Sequence, residues 1–353
     1  MLMETATIIP LHEAEKRTAR AAITRLPIYT AKELGEEEFP AIKYVIPGFV
    51  PEGATILAGR PKLGKSWLAL DMALAVSQGT DCLGVTCERG AVLYLALEDN
   101  KRRMQSRLDK LSPRYDQMPW PSNLSLANEW QRHDAGGTDS IRDWATSADN
   151  PRLVIVDVLA QFRTRGGERD DYRSDYDSIK ALQELAGEMQ LAIIVVHHVR
   201  KSAGETDPFE KVSGTLGLTG AADTAIILDK DGHGCTLYGR GRDIQEFERS
   251  VMFDPITCRW SVQGEASQVR RTDERQTILE ILDDADETMS PGEVADATGC
   301  SRNNVKQLLF KMAKAGEVLK AGRGKYVSGN RPELLPRTPD NHGNQITNGE
   351  EDD

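Results

Sequence analysis

Gly59-Arg60-Pro61-Lys62-Leu63-Gly64-Lys65-Ser66 is the stretch whose reading decides how this chain folds. It fits G-x-x-x-x-G-K-[ST], and its flanks agree with it. The apolar run Ala54-Thr55-Ile56-Leu57-Ala58 before it has the length of a buried strand, and Lys65 to Gln78 after it reads as a helix. The glycines let the backbone curl so that successive N–H groups point at one phosphate, and the following helix adds its positive end. In such a loop Gly59 through Trp67 wrap the phosphates, Lys65 neutralises the β and γ groups, and the Ser66 hydroxyl binds Mg²⁺.

Outward from the loop, apolar segments recur at Ala91–Ala96, Leu153–Asp157 and Leu191–Val196, separated by helical stretches at 102–111 and 175–189. Continuous apolar strands alternating with helices predict an α/β domain with a mostly parallel sheet covered on both faces. Thr224–Leu228 and Cys235–Tyr238 are expected to add strands. The ATPase-type core is bounded at 39–263, preceded by a polar arm (1–38) that ends in Glu36-Glu37-Glu38. A polar linker is expected at 264–272, a second small domain at 273–328, and a disordered acidic tail at 329–353.

Composition agrees with a two-domain soluble chain. Its 353 residues are 39% apolar and 28% charged, and no apolar run is long enough to span a bilayer. The start lacks the apolar core of a secretory signal. The five cysteines are scattered without a C-x-x-C pair, which reads as reduced thiols in a cytoplasmic protein rather than a zinc site. The net charge of −11 argues against nucleic acid on average, so charge has to be read by segment.

A working phosphate-loop enzyme needs acids at other strand ends. Asp157 closes Leu153-Val154-Ile155-Val156 and is the candidate for holding Mg²⁺ with Ser66. Val158 follows it, so no glutamate directly succeeds that aspartate. Glu98, at the end of Val92–Leu97, is instead the candidate for polarising the attacking water, with Asp99 beside it as the lesser choice.

The loop, Leu95-Ala96-Leu97-Glu98-Asp99, Val154-Ile155-Val156-Asp157 and Val195-Val196-His197-His198, in that order, resemble the RepA-type hexameric helicases of the wider RecA/DnaB superfamily. The resemblance covers about 40–260. It implies a RecA-like fold, ATP and Mg²⁺ as cofactors, and a ring of identical subunits acting on single-stranded DNA. It also implies that His197 or His198 senses the γ-phosphate; the other reading is a pair of ordinary strand-end histidines. By the same resemblance Arg240 and Arg242 form a basic finger inserted into a neighbour's site, against a reading as a structural arginine pair. The loops expected to face DNA carry Arg163 and Arg165, then Arg200, Lys201 and Lys211, with Phe162 and Phe209 as their aromatics.

Near the C-terminus, Ser290-Pro291-Gly292-Glu293 predicts a capped helix ending at Gly299. Ser301 caps a second helix with Val305, Leu308, Leu309 and Met312 on one face, and Glu317–Lys320 with Lys325–Val327 predicts a hairpin. Together these resemble a winged helix. From 301 to 327 there are seven basic residues, among them Arg302, Lys306, Arg323 and Lys325, against the single acid Glu317. That is the footprint of a phosphate-binding face, here expected to contact duplex DNA; a protein-binding winged helix is the competing reading. The expectation from sequence is thus an ATP-driven DNA helicase of a phage, plasmid or mobile element. A recombination-type ATPase and an ATP-switched DNA-binding regulator are the alternatives.

Overall fold

The computed structural model describes residues 28–113, 119–165, 171–199, 207–210, 217–232 and 234–336. The chain divides into two units, Met1–Ile42 and Lys43–Asp353. The described part of the first holds one short helix, α1 (Ala31–Glu36), none of whose residues is buried. Its start is fixed by a capping box: Thr30 Oγ1 accepts from the Glu33 N–H, and the Glu33 carboxylate accepts from the Thr30 N–H.

The second unit is built on a nine-stranded sheet. Two short hairpins flank it, β1 (Tyr44–Ile46) with β2 (Val50–Pro51), and β4 (Asp81–Cys82) with β5 (Val85–Thr86). The sheet strands are β3 (Gly53–Gly59), β6 (Ala91–Ala96), β7 (Leu124–Ala127), β8 (Pro151–Asp157), β9 (Ala192–His198), β10 (Thr224–Asp231), β11 (Gly234–Gly241), β12 (Phe247–Asp254) and β13 (Arg259–Glu265). Their order is β13-β12-β11-β10-β3-β9-β8-β6-β7. The six strands from β10 to β7 run parallel, and β11, β12 and β13 continue the sheet antiparallel.

The parallel strands are buried along their length because both faces are covered, so alternate residues enter two separate cores. Leu57, Ile155 and Ile194 pack with α2 (Lys65–Gln78) and α3 (Lys101–Leu111). Ile56, Val154 and Ile193 face the opposite way. They pack with α4 (Gly137–Ser147), α5 (Leu159–Phe162) and α6 (Asp171–Met189). Helix α2 is buried from Leu68 to Ser77 and stops at Gly79, whose positive φ of 72° closes the helix in a left-handed cap. A further short helix, α7 (Gly217–Ala221), leads into β10. The expected mostly parallel α/β sheet is therefore the observed fold. Strands β7, β12 and β13 and helix α4 were not anticipated from sequence.

Two expected boundaries differ from the structure. The stretch 264–272 is helical from Ala266, the first residue of α8 (Ala266–Asp284). It lacks an apolar stripe, which hid it from a periodicity reading. Polar anchors hold it instead: Arg270 Nη2 shares its two N–H groups among Asp231, Thr236 and the Tyr238 hydroxyl, at 3.2–3.3 Å. Residues 329–336 are likewise tied down. Arg331 donates to the Asp283 carbonyl at 2.6 Å, and Pro332–Leu334 forms a turn of 3₁₀-helix. The rest of the expected tail, 337–353, lies outside the described residues.

After α8 come α9 (Pro291–Thr298), α10 (Arg302–Ala315) and the antiparallel pair β14 (Val318–Lys320) and β15 (Tyr326–Ser328). Ser290 and Glu293 form the capping box of α9, Gly299 ends it in the left-handed region, and Ser301 accepts from the Asn304 N–H. Val305, Leu308, Leu309 and Met312 share a small core with Ile278, Leu282, Val294 and Val318.

Candidate nucleotide site

In parallel sheets ligands gather at the carboxyl ends of the strands. Here register brings the sequence candidates to one such edge: Gly59 is opposite His198 and Leu228, Ala58 is opposite His197, and Asp157 is opposite Ala96, two residues before Glu98. The loop demands glycine at two places. A Cβ on Gly59 would lie 2.4 Å from the Leu228 carbonyl oxygen, and Gly64 has φ of 102° where it caps α2.

Lys65 is 3% exposed, and its ammonium donates to the carbonyls of Gly59 (2.7 Å) and Arg60 (2.9 Å). Burial pushes its pKa down to about 8, against the opposing pull of Asp157 and Glu98. Asp157 is 5% exposed and accepts from the Tyr94 hydroxyl at 2.7 Å and from the Ser66 hydroxyl. Its burial raises the carboxyl above the usual range, while those two hydroxyls pull it down. A hydroxyl and a carboxylate held together are a hard oxygen pair of the kind Mg²⁺ takes along with phosphate and water. Among the described residues no three His, Cys, Asp or Glu side chains form a metal cage. The hydroxyl and carboxylate of Ser66 and Asp157 fit a hard cation that completes its shell with phosphate and water oxygens.

Glu98 is exposed at the mouth of the site, with His198 Nε2 at 3.9 Å from its carboxylate. Asp99 is committed elsewhere: Arg103 donates to it at 2.7 Å and Arg107 closes on its other oxygen. That pairing leaves Glu98 as the available carboxylate. Burial pushes His197 down to about 4, helped by the neighbouring charges of His198, Lys65 and Arg163. His198 is lowered by burial first and by Lys65 next. Both imidazoles are neutral near pH 7 and can report on a phosphate only by hydrogen bonding.

Two groups that sequence reading missed support the loop. Trp260 on β13 sits behind Gly64, donating from Nε1 to its carbonyl at 3.3 Å. Next to it, Arg259 pairs with the buried Asp71 of α2 at 2.9 Å and donates to the Leu111 carbonyl at 2.8 Å. Tyr94 was hidden differently, because in a strand buried on both faces every residue reads as core. Its only signal was a phenol that needs a partner when buried.

The remaining candidates are elsewhere. Arg240 on β11 is in register with Ala225 and so with Ile56, three residues (about 10 Å) behind Gly59 along the strand direction. It donates to Glu246 (2.7 Å) and Asp207 (3.2 Å) and lies over the Phe209 ring at 4.2 Å. Arg242 bonds Asp223 at 3.4 Å. Both line a cleft of about 340 Å³ at the amino end of the parallel strands, away from their own phosphate loop. Arg163 is half-buried and paired with Asp175 at 3.2 Å, so it is a structural cation rather than a free loop charge. Arg165 is exposed; Arg200, Lys201 and Lys211 lie outside the described residues. In the C-terminal elements, Lys306 and Arg323 are exposed. The Arg302 guanidinium lies beside Gly292, and Lys325 is engaged by Glu293 at 2.9 Å and by the Thr288 carbonyl.

Comparison with known proteins matches this chain, over residues 22–204, to the family described as AAA domain. "Gene 65 protein" of Mycobacterium phage D29 is 27% identical over 131 residues, 36% of this chain and 52% of the relative, so the chain spans about half the length of that protein. Among solved structures, "ATPase Domain of G40P" aligns with a TM-score of 0.50 at 14% identity, covering 71% of this chain and 98% of that one. "The Structure Of A DnaB-Like Replicative Helicase And Its Interactions With Primase" aligns at 0.48 and 16%, covering 72% and 71%.

Proposed function

This chain belongs to the AAA domain family, an ATP hydrolase with a RecA-like sheet, and from that premise we propose that it is a DNA motor whose catalytic sites are completed between subunits. Lys65 leaves the carbonyls of Gly59 and Arg60 to neutralise the β- and γ-phosphates. Ser66 and Asp157 would hold Mg²⁺, which would supply Lewis-acid stabilisation of the phosphate charge. Glu98 orients and deprotonates the attacking water, and neutral His198 beside it links the γ-phosphate position to that carboxylate. Arg240 or Arg242 of a neighbouring subunit neutralises the transition state.

The observation that carries this reading is the split of the site. The phosphate loop, Glu98, Asp157, His197 and His198 meet at one edge of the sheet, and Arg240 and Arg242 line a cleft at the other end. No subunit can bring its own pair to its own phosphate loop without dismantling β11. A closed ring of identical subunits, six by the RepA-type resemblance, satisfies that geometry. Single-stranded DNA is its track, and the similarity to a phage protein supports a phage or other mobile-element replicative helicase. Residues 273–328 act as a winged helix that adds a DNA contact. The basic surface there also favours a second reading, a DNA-binding regulator switched by ATP.

Steady-state hydrolysis with and without single-stranded DNA separates the two, with Lys65→Ala as the blank. We expect at least severalfold stimulation by single strands. Turnover indifferent to them, with tight duplex binding, would move the function to the regulator.

A further inference from the structure

Helix α10 buries Val305, Leu308, Leu309 and Met312 and turns Asn303, Lys306, Gln307, Phe310 and Lys314 outward. Phe310 is 58% exposed. From Lys43 on, the other large apolar side chains exposed among the described residues are Leu126, Met252 and Ile256, so it is the aromatic one of the set. It stands one turn from Lys306 on one side and from Lys314 on the other, about 6 Å each way along the axis. The Lys320 ammonium, from β14, lies over its ring at 5.4 Å. Lys306, Lys314 and Lys320 have no acidic partner among the described residues, and Glu317, the one acid between Ser301 and Val327, is taken by Arg275 at 3.4 Å. The surface therefore combines unneutralised cations with a solvent-exposed ring at their centre, approached by Lys320.

In a duplex a phenyl ring has no donor or acceptor for base edges and can meet only a thymine methyl in the major groove, while the faces of the bases are hidden in the stack. In a single strand those faces are free, and stacking one on an aromatic side chain contributes roughly 1–3 kcal/mol, with lysines following the phosphates on either side. We propose that Phe310, flanked by Lys306, Lys314 and Lys320, is a stacking platform for an unpaired base of single-stranded nucleic acid. This rests on the reading that DNA is the motor's track, and it replaces the duplex expected from sequence with a strand. The C-terminal elements then hold the strand outside the ring, where a motor needs to capture it before threading or to keep it from re-pairing.

The test is ultraviolet crosslinking of the full chain to an oligothymidylate of about 20 nucleotides, read by mass spectrometry after trypsin. The expected result is thymidine-modified peptide Gln307–Lys311, lost in Phe310→Ala and kept in Phe310→Trp. Duplex of equal length and poly-glutamate should compete poorly for that crosslink. Absence of the modified peptide, while single strands still stimulate hydrolysis, overturns the platform and leaves the motor standing. Competition by duplex or by poly-glutamate as strong as by single strand also overturns it, since the surface would then read a helix or charge alone. If single strands neither crosslink anywhere nor stimulate hydrolysis, the motor reading fails with it.

Discussion

At the scale of single residues, the site turns on which carboxylate is free. Asp157 is enclosed by Tyr94 and Ser66, and Asp99 is tied to Arg103 and Arg107. Glu98 alone of the three faces the mouth of the site, with the His198 imidazole 3.9 Å from its carboxylate and the Lys65 charge within electrostatic reach. Glu98→Gln keeps shape and nearly all contacts while removing the carboxylate proposed as the base. We expect nucleotide affinity within a few-fold of the parent and hydrolysis reduced by about 10²–10⁴. Equilibrium binding of a fluorescent nucleotide and single-turnover hydrolysis measure the two separately. A fully active variant would assign the base to another group.

At the scale of elements, helix α2 and strand β13 are held together by Arg259 and Asp71 under the phosphate loop. Burial outweighs the arginine's attraction and pushes Asp71 up to about 6. An aspartate in the unfolded chain titrates near about 4. Between those values the folded state holds the extra proton, so stability falls as pH rises through the window, and the full cost of the buried charge is present above it. Arg259→Ala removes the counter-charge and deepens that cost where Asp71 is ionised. We expect a loss on the order of 2 kcal/mol at pH 8 and a smaller one at pH 5, where the carboxyl is largely protonated. Thermal unfolding of parent and variant at the two pH values measures it; an equal loss at both would mean that Arg259 acts only through its bond to the Leu111 carbonyl.

At the scale of the whole molecule, the question is whether one chain makes a site. The phosphate-loop edge and the Arg240–Arg242 cleft lie at opposite ends of the strands. Lys65→Ala spoils only the first, and Arg240→Ala with Arg242→Ala spoils only the second. Each protein alone should be inactive. Mixed and allowed to exchange subunits, they should regain measurable hydrolysis, because some interfaces then pair an intact loop with an intact arginine. Activity that stays at background after exchange, shown by labelled subunits to have occurred, would place the arginines in a structural role. In the proposed finger role, the bonds of Arg240 to Glu246 and Asp207 would have to open before the guanidinium reached a neighbour's phosphate.

The sequence by itself determined what depends on local order. Gly59 to Ser66 between an apolar strand and a helix can be read in a line, and so can the capping box at Ser290 and the helix stop at Gly299, because backbone geometry and near neighbours set them. Runs buried on both faces announced a parallel sheet for the same reason. Only the tertiary structure decided what depends on strands far apart in sequence lying side by side. It brought His198 to Glu98 and Tyr94 to Asp157, seated Trp260 behind Gly64 across almost two hundred residues, and consumed Arg163 in a pair with Asp175. It also turned a polar stretch at 266 into a helix held by Arg270. Hydrophobic periodicity reports which face a residue turns to the core; it carries no information on which polar group will be waiting there.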